Sequence, residues 1–279
     1  MAIQGFVADP RPFRALYEHW ERHQWSPLAI DFSVDAESFA ALDETTRAGL
    51  VWAFAHRFQA EFNVAVLLAP FLLAAPDYEV RLLLATQVAD EHRHIESLLR
   101  VYGDVFGVEG GIEAVRALAD RNMDYVAEAL YGELERYVGR LTADSDEDEF
   151  LAAIVVYHLI AEGVIARAAQ NLAAGQYARL EFPGLAAGQR LVARDEARHI
   201  GIGVVYARRR LAEAPERGRA VVGNIVEIFG ELTTSLLNDA GSDMEALVRS
   251  GYGVDPAGFY AEAMRLLQLR LRSIGFLDE

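Results

Sequence analysis

The sequence predicts an all-α protein with a four-helix bundle at its core and further helices around it. Three observations predict this. Long stretches carry apolar residues at helical spacing, while strand signals are scarce. The string Asp-Glu-x-Arg-His-Ile occurs twice, at 90–95 and 195–200, each time setting a Glu three residues before a His. No linker-like or low-complexity tract divides the 279 residues, so a single domain, 1–279, is the economical reading.

The elements follow in order. Residues 1–34, rich in Pro and aromatics, read as an extended arm with room for one short helix. Core helices are expected over 44–212 and accessory helices over 216–279. Asp43 can cap the first long helix, 44–75, and Pro76-Asp77 can open the second, 77–103. Periodicity alone predicts the third, 111–141. The run from Asp144 to Glu149 lacks the spacing and the glycine of an EF-hand loop, and its negative charge suits the N-terminus of the fourth helix, 147–174. Phe182-Pro183-Gly184 marks a turn before the fifth, 186–212. Helical periodicity continues through 216–240, 244–250 and 256–273.

Composition excludes several chemistries. The net charge is −16, which argues against nucleic acid and anionic membrane as partners. All 26 basic residues are Arg, so lysine Schiff bases are excluded. With no cysteine there are no disulfides, thiolate nucleophiles, iron–sulfur clusters or zinc-thiolate sites, and any metal must sit on oxygen and nitrogen. The N-terminus lacks the order of a signal peptide, and the longest apolar run, Val64 to Ala75, is broken by Pro70. The expectation is a soluble cytoplasmic protein without a membrane span.

A Glu and a His three apart on a helix share one side and can share one metal ion. Alone the pattern is weak, because this composition yields about 0.6 such pairs by chance. Context strengthens it. FLAAIVVYHLIAEGVIA, 150–166, is apolar nearly all round and belongs at the centre of the fold, yet it contains Glu162. Glu61 is similarly isolated in WAFAHRFQAEFNVAVLLAPFLL. A buried carboxylate costs several kcal/mol unless it is protonated, paired or metal-bound. Glu61 precedes Glu91 by 30 residues and Glu162 precedes Glu196 by 34, the distance of one long helix and a return along its neighbour. Two such halves would bring Glu61, Glu91, His94, Glu162, Glu196 and His199 together around a pair of divalent cations. Four carboxylates balance two such ions, and oxygen with imidazole suits iron and manganese. The alternative is that these residues are exposed helix positions or buried ion pairs. Asp90 and Asp195 each precede a ligand Glu, and each is expected to orient the His of the opposite half. For these two the alternative is a salt bridge to Arg93 or Arg198.

The ligand set resembles that of ferritin-like di-iron and di-manganese proteins. From about Pro12 to Gly241 the chain resembles the ribonucleotide reductase small subunit superfamily, through WSPLAIDFS (25–33) and RDEARH (194–199). By that resemblance Trp25 would pass electrons towards the metals through Asp195; otherwise it is a core or lid aromatic. Radical-generating members usually carry a tyrosine four residues after the first motif's His, where this chain has Leu98. The chain also leaves little of the tail through which such subunits bind their partner.

A sister family, the ligand-binding oxidases that resemble this subunit, is matched at further positions. The resemblance implies a manganese–iron centre, with manganese at the first site and iron at the second, and a bound long-chain fatty acid. It also implies an ether crosslink between a valine and a tyrosine, here Val64 and Tyr157. Gly163 and Ala166 would make room for the ligand, while Gln170 stands where the family tends to have an aromatic. On an ideal α-helix Tyr157 is rotated about 140° from Glu162, whereas His158 is rotated by only about 40°. His158 is thus the better-aimed residue, as an extra ligand or a neighbour of one. His56 reads as packed or partly exposed, and His19, His23 and His92 as solvated.

The reading is therefore an O2-using oxidase with Glu61, Glu91 and His94 on one metal and Glu162, Glu196 and His199 on the other, Glu91 or Glu196 bridging. It would remove hydrogen from a C–H bond in an apolar pocket, accept electrons from an unknown donor, and form a homodimer. The alternatives are the radical subunit of a ribonucleotide reductase and a metal-storage or non-catalytic ligand-binding protein. N-oxygenases and acyl desaturases share the two Glu-x-x-His motifs.

Overall fold

The computed structural model describes residues 8–123, 125–239 and 242–278, and every regular element among them is helical. The first seven residues of the expected arm lie outside the described residues, as do Asp124, Ala240, Gly241 and Glu279. The rest of the arm is less extended than expected. Helix α1 (Arg11–Arg22) forms in it and buries Phe13 in the core. Beyond α1, the Asp35 carboxylate accepts hydrogen bonds from the Gly184 and Leu185 N–H groups at 3.1 and 2.6 Å. These are two of the unsatisfied donors that begin a helix, so the arm is pinned across the fold. Only glycine fits at 184, where a Cβ would lie 2.8 Å from the Asp31 carbonyl oxygen. A short helix that periodicity did not anticipate, α2 (Ala36–Ala40), follows Asp35.

Local capping sets the long helices. Asp43 accepts from the Thr46 N–H at 2.9 Å to start α3 (Glu44–Ala74), which runs through Pro70. Asp77 does the same for Val80, also at 2.9 Å, at the head of α4 (Tyr78–Asp104). The helix expected over 111–141 is in fact two. Helix α5 (Gly111–Arg121) stops at Asn122, whose side-chain amide donates to the Leu118 carbonyl at 2.8 Å and so competes with the backbone. Helix α6 (Tyr125–Leu134) then ends in a π-helical turn, Glu135–Gly139.

The acidic run caps α7 (Glu147–Ile154). Asp146 accepts from the Asp148 and Glu149 N–H groups at 2.9 Å each, and Glu149 reaches back to the Asp146 N–H at 2.9 Å. This reciprocal box predicts that Asp146→Ala lowers stability by about 1 kcal/mol in urea unfolding. From α7 the rod continues as a π-helix, Val155–Ala166, and then as α8 (Arg167–Arg179). Pro183 opens α9 (Pro183–Glu213), and α10 (Pro215–Asp239), α11 (Ser242–Tyr252) and α12 (Pro256–Ser273) complete the chain.

Helix α3 packs on α4, the α7–π–α8 rod packs on α9, and α4 faces α9, which makes the four-helix core. Helix α1 lies across α4 and α9, α11 lies on α3, and α12 covers the π segment and α8. Helix α3 and the rod are each long and apolar enough to cross a membrane by composition alone. In the rod 72% of that apolar window is buried inside the fold, as befits a core helix, against 39% in α3.

Candidate metal centre

Each of the four core rods supplies acids to one buried spot. Glu61 comes from α3, Glu91 and His94 from α4, Glu162 from the π segment, and Glu196 and His199 from α9; all six are buried. Two overlapping groups offer ligand atoms within 4.8 Å of one another: Glu61, Glu91, His94 and Glu196, and then Glu91, Glu162 and His199. Glu91 belongs to both. The His94 Nδ1 lies 3.2 Å from both Glu61 and Glu91 and 3.7 Å from Glu196. The His199 Nδ1 lies 3.2 Å from Glu91, 3.5 Å from Glu196 and 3.8 Å from Glu162. Both imidazoles therefore aim Nδ1 into the ring of carboxylates.

The opposite ring nitrogens face aspartates from across the bundle. The His199 Nε2 is 3.2 Å from Asp90, and the His94 Nε2 is 3.5 Å from Asp195. The His199–Asp90 approach is a hydrogen bond and the His94–Asp195 approach is not, and both aspartates also pair with arginines. Arg198 pairs with Asp90 at 2.6 Å, and Arg93 reaches Asp90 at 3.2 Å and Asp195 at 3.3 Å. Trp25 donates its indole N–H to Asp195 at 2.6 Å, and its ring stacks 6.3 Å from that of His94. Trp20, which sequence reasoning passed over, donates to Asp90 at 2.9 Å from α1. No local pattern marks Trp20, because its partner is 70 residues away. The two halves thus repeat a Trp–Asp–His chain.

Burial and mutual repulsion dominate the charges. Burial lifts Glu61 to about 7 against the partial relief from His94. Burial, with Glu196 nearby, pushes Glu162 well above the usual carboxylate range. Glu91 goes the other way: burial opposes ionisation, but His199 and His94 outweigh it and hold the carboxyl well below that range. Burial likewise opposes charge on the imidazoles, yet Glu61 and Asp195 raise His94, and Glu91 and Asp90 raise His199, well above the ordinary value. Protons are thus held tightly where these carboxylates and imidazoles crowd together out of water.

The π segment changes the expectation for Tyr157. On an ideal α-helix Tyr157 turns away from Glu162. A π-helix, which bonds i to i+5, winds more loosely and swings a residue five away back towards the same side, so Tyr157 and His158 both come near the Glu162 face. Tyr157 is fully buried, 3.4 Å from the Gln87 amide nitrogen, and burial together with the Glu162 charge raises its phenol pKa. Val64 and Tyr157 pack in one apolar cluster with Phe71, whose ring meets Tyr157 edge-on at 5.5 Å. His158 is not among the metal-facing groups; its Nε2 contacts the Gln87 side-chain oxygen at 3.0 Å. Gln87 was also missed, although its place four residues before Glu91 on α4 put it on the same helix face.

The room expected at Gly163 is taken. Arg270 from α12 lies across it, with Nε 3.0 Å from the Gly163 carbonyl and 3.1 Å from where a Cβ would stand. Ala166 is half-buried at the end of the π segment. Gln170 is buried. His92 is exposed, but His19 and His23 are half-buried and stack at 4.1 Å, which corrects the solvated reading for that pair. His56 is half-buried against Trp52.

The donor set fits cations. Glu162 Oε2, Glu196 Oε2 and His199 Nδ1 are buried without a hydrogen-bond partner among the described residues. Buried polar atoms are normally satisfied, and divalent ions on these oxygens and nitrogens would satisfy them.

No family model matches the chain. Solved structures resemble it over nearly its full length. One is a valine-to-alanine variant of an R2-like ligand-binding oxidase with an anaerobically reconstituted Mn/Fe cofactor. It has a TM-score of 0.81 and 23% identity, covering 95% of this chain and 94% of that one. A valine-to-isoleucine variant with an aerobically reconstituted Mn/Fe cofactor gives 0.81 and 24%, covering 95% of each chain. An R2-like ligand-binding oxidase with aerobically reconstituted metal cofactor after photoconversion gives 0.81 and 24%, covering 95% and 94%. The shared architecture is the ferritin-like helical bundle.

Proposed function

We propose that the chain is an O2-activating oxidase built around a dinuclear manganese–iron or di-iron centre. The observation that carries this is the convergence of four carboxylates and two imidazoles from four rods, with Glu91 common to both groups. The likeness to R2-like ligand-binding oxidases with Mn/Fe cofactors supports it. Glu61, Glu91 and His94 would hold one ion, and Glu162, Glu196 and His199 the other. Bound ions would supply electrons to O2 and the oxidising power for a two-electron reaction.

The residues around the ions have distinct tasks. Asp90 is hydrogen-bonded to His199 Nε2 and Asp195 stands 3.5 Å from His94 Nε2, so Nδ1 of each imidazole is the atom left for a metal. Trp25, hydrogen-bonded to Asp195, lies on a route for electrons from an external donor. The apolar cluster of Phe71, Phe150 and Ile154 keeps bulk water from the Tyr157 side. There, oxidation would join the Val64 side chain to the Tyr157 oxygen: a C–H and an O–H bond break, a C–O bond forms, and two electrons and two protons pass to O2. A hydrophobic, fatty-acid-like ligand belongs to the same reading, and a ligand entering beside Gly163 would displace Arg270. Leu98 in place of a tyrosine is why this reading is preferred to a radical subunit.

The test is intact and peptide mass after aerobic loading with manganese and iron. A loss of two hydrogens mapping to peptides that carry Val64 and Tyr157 is expected. Unchanged mass in a loaded, O2-consuming sample removes the crosslink, and a loaded sample that consumes no O2 removes the oxidase.

A further inference from the structure

We infer that Gln87, anchored by His158, is the positioning residue for Glu162: it tethers one carboxylate oxygen and leaves the other as the atom presented to a metal. The inference rests on the dinuclear reading above and concerns residues that reading leaves without a task.

Gln87 and His158 are both fully buried. The Gln87 amide nitrogen lies 2.8 Å from Glu162 Oε1, 3.2 Å from Glu91 Oε1 and 3.4 Å from the Tyr157 hydroxyl. Its amide oxygen lies 3.0 Å from His158 Nε2. The orientation follows from chemistry, since a flipped amide would set its oxygen against two carboxylates. With the oxygen facing His158, Nε2 must carry the ring proton and donate it. Burial pulls the His158 pKa down to about 3, so the ring is neutral and Nδ1 carries the lone pair. That Nδ1 has no partner among the described residues, and so the one hydrogen bond His158 makes serves to hold Gln87.

Packing keeps His158 in place. A Cβ at Gly203 of α9 would lie 2.4 Å from the His158 Cβ, so the glycine admits the imidazole. The result appears on Glu162, where Oε1 is hydrogen-bonded and Oε2 is buried and free. Glu61, the equivalent acid of the other half, has no such amide among the described residues; its Oε1 faces the Arg57 guanidinium at 3.8 Å. A neutral tether on one acid and a cation beside the other make the two halves unequal. With Oε1 tethered, Glu162 would offer one oxygen to an ion, which would then have one donor fewer than a chelating carboxylate gives.

Cobalt(II) tests this, because its visible d–d bands weaken as donors are added to the ion. The parent protein, Gln87→Met, His158→Phe and His158→Gln are loaded with cobalt, and elemental analysis gives the ions retained. With parent loading retained, Gln87→Met is expected to lose band intensity as Glu162 becomes chelating. His158→Phe is expected to shift the same way, and His158→Gln, which keeps an N–H for the Gln87 oxygen, to restore the parent spectrum. Unchanged spectra in fully loaded Gln87→Met would overturn the inference alone, as would a His158→Gln spectrum that follows His158→Phe. A parent that retains no cobalt would overturn the metal centre and the inference with it. Should Gln87→Met fail to fold by circular dichroism, the two His158 variants decide.

Discussion

Glu91→Ala is expected to cost the protein both metals at once. Glu91 places one oxygen 3.2 Å from His94 and the other 3.2 Å from His199, and it is the acid shared by the two groups. After loading with iron and manganese and removal of free ions, elemental analysis should fall from about two ions per chain to near zero. Glu61→Ala should retain about one, because the group of Glu91, Glu162 and His199 remains intact. Circular dichroism must show helical protein in both variants. A full pair of ions on folded Glu91→Ala would show that the carboxylate is not common to both sites.

Metal-free protein should lose stability between pH 5 and pH 8, and Glu61→Gln should remove much of that loss. Glu61 binds its proton more tightly folded, at about 7 against an ordinary 4.5. The stability it contributes is therefore complete below about 4.5 and is lost as pH rises through 7, a change on the order of 3 kcal/mol. Glu162, His94 and His199 are also raised, so they too favour the folded state less as pH climbs. Glu91 and Asp90 are lowered, so their contributions are already present above the ordinary carboxylate range and are lost only in acid. Urea unfolding across this range measures the slope. Bound divalent ions should also flatten it, since cations replace the protons. A metal-free protein equally stable at pH 5 and pH 8 would contradict the buried-acid account.

These expectations draw on both levels of the molecule. Asp43, Asp77, Asp146 and Pro183 mark helix starts because each acts on backbone groups within three residues, a range a linear sequence displays. The two Glu-x-x-His pairs are local for the same reason. Glu61 and Glu162 stood out through contrast, as acids in apolar helices whose burial demands compensation. The break at Asn122 was harder to read, because apolar spacing continues on both sides of it while the amide ends the helix.

The sequence by itself determined the all-helical class, the rods and the acids and imidazoles they carry, since these depend on neighbours along the chain. Tertiary structure alone decided that the rod through Glu162 winds as a π-helix, which brings both Tyr157 and His158 against Gln87. It also decided that Trp20 meets Asp90 and that Arg270 lies across Gly163. Trp20 and Arg270 lie 70 and 107 positions from their partners, so only packing brings them together. The π winding likewise exchanges i+4 for i+5 bonds inside an apolar stretch that reads as ordinary α-helix, and the surrounding helices select between the two.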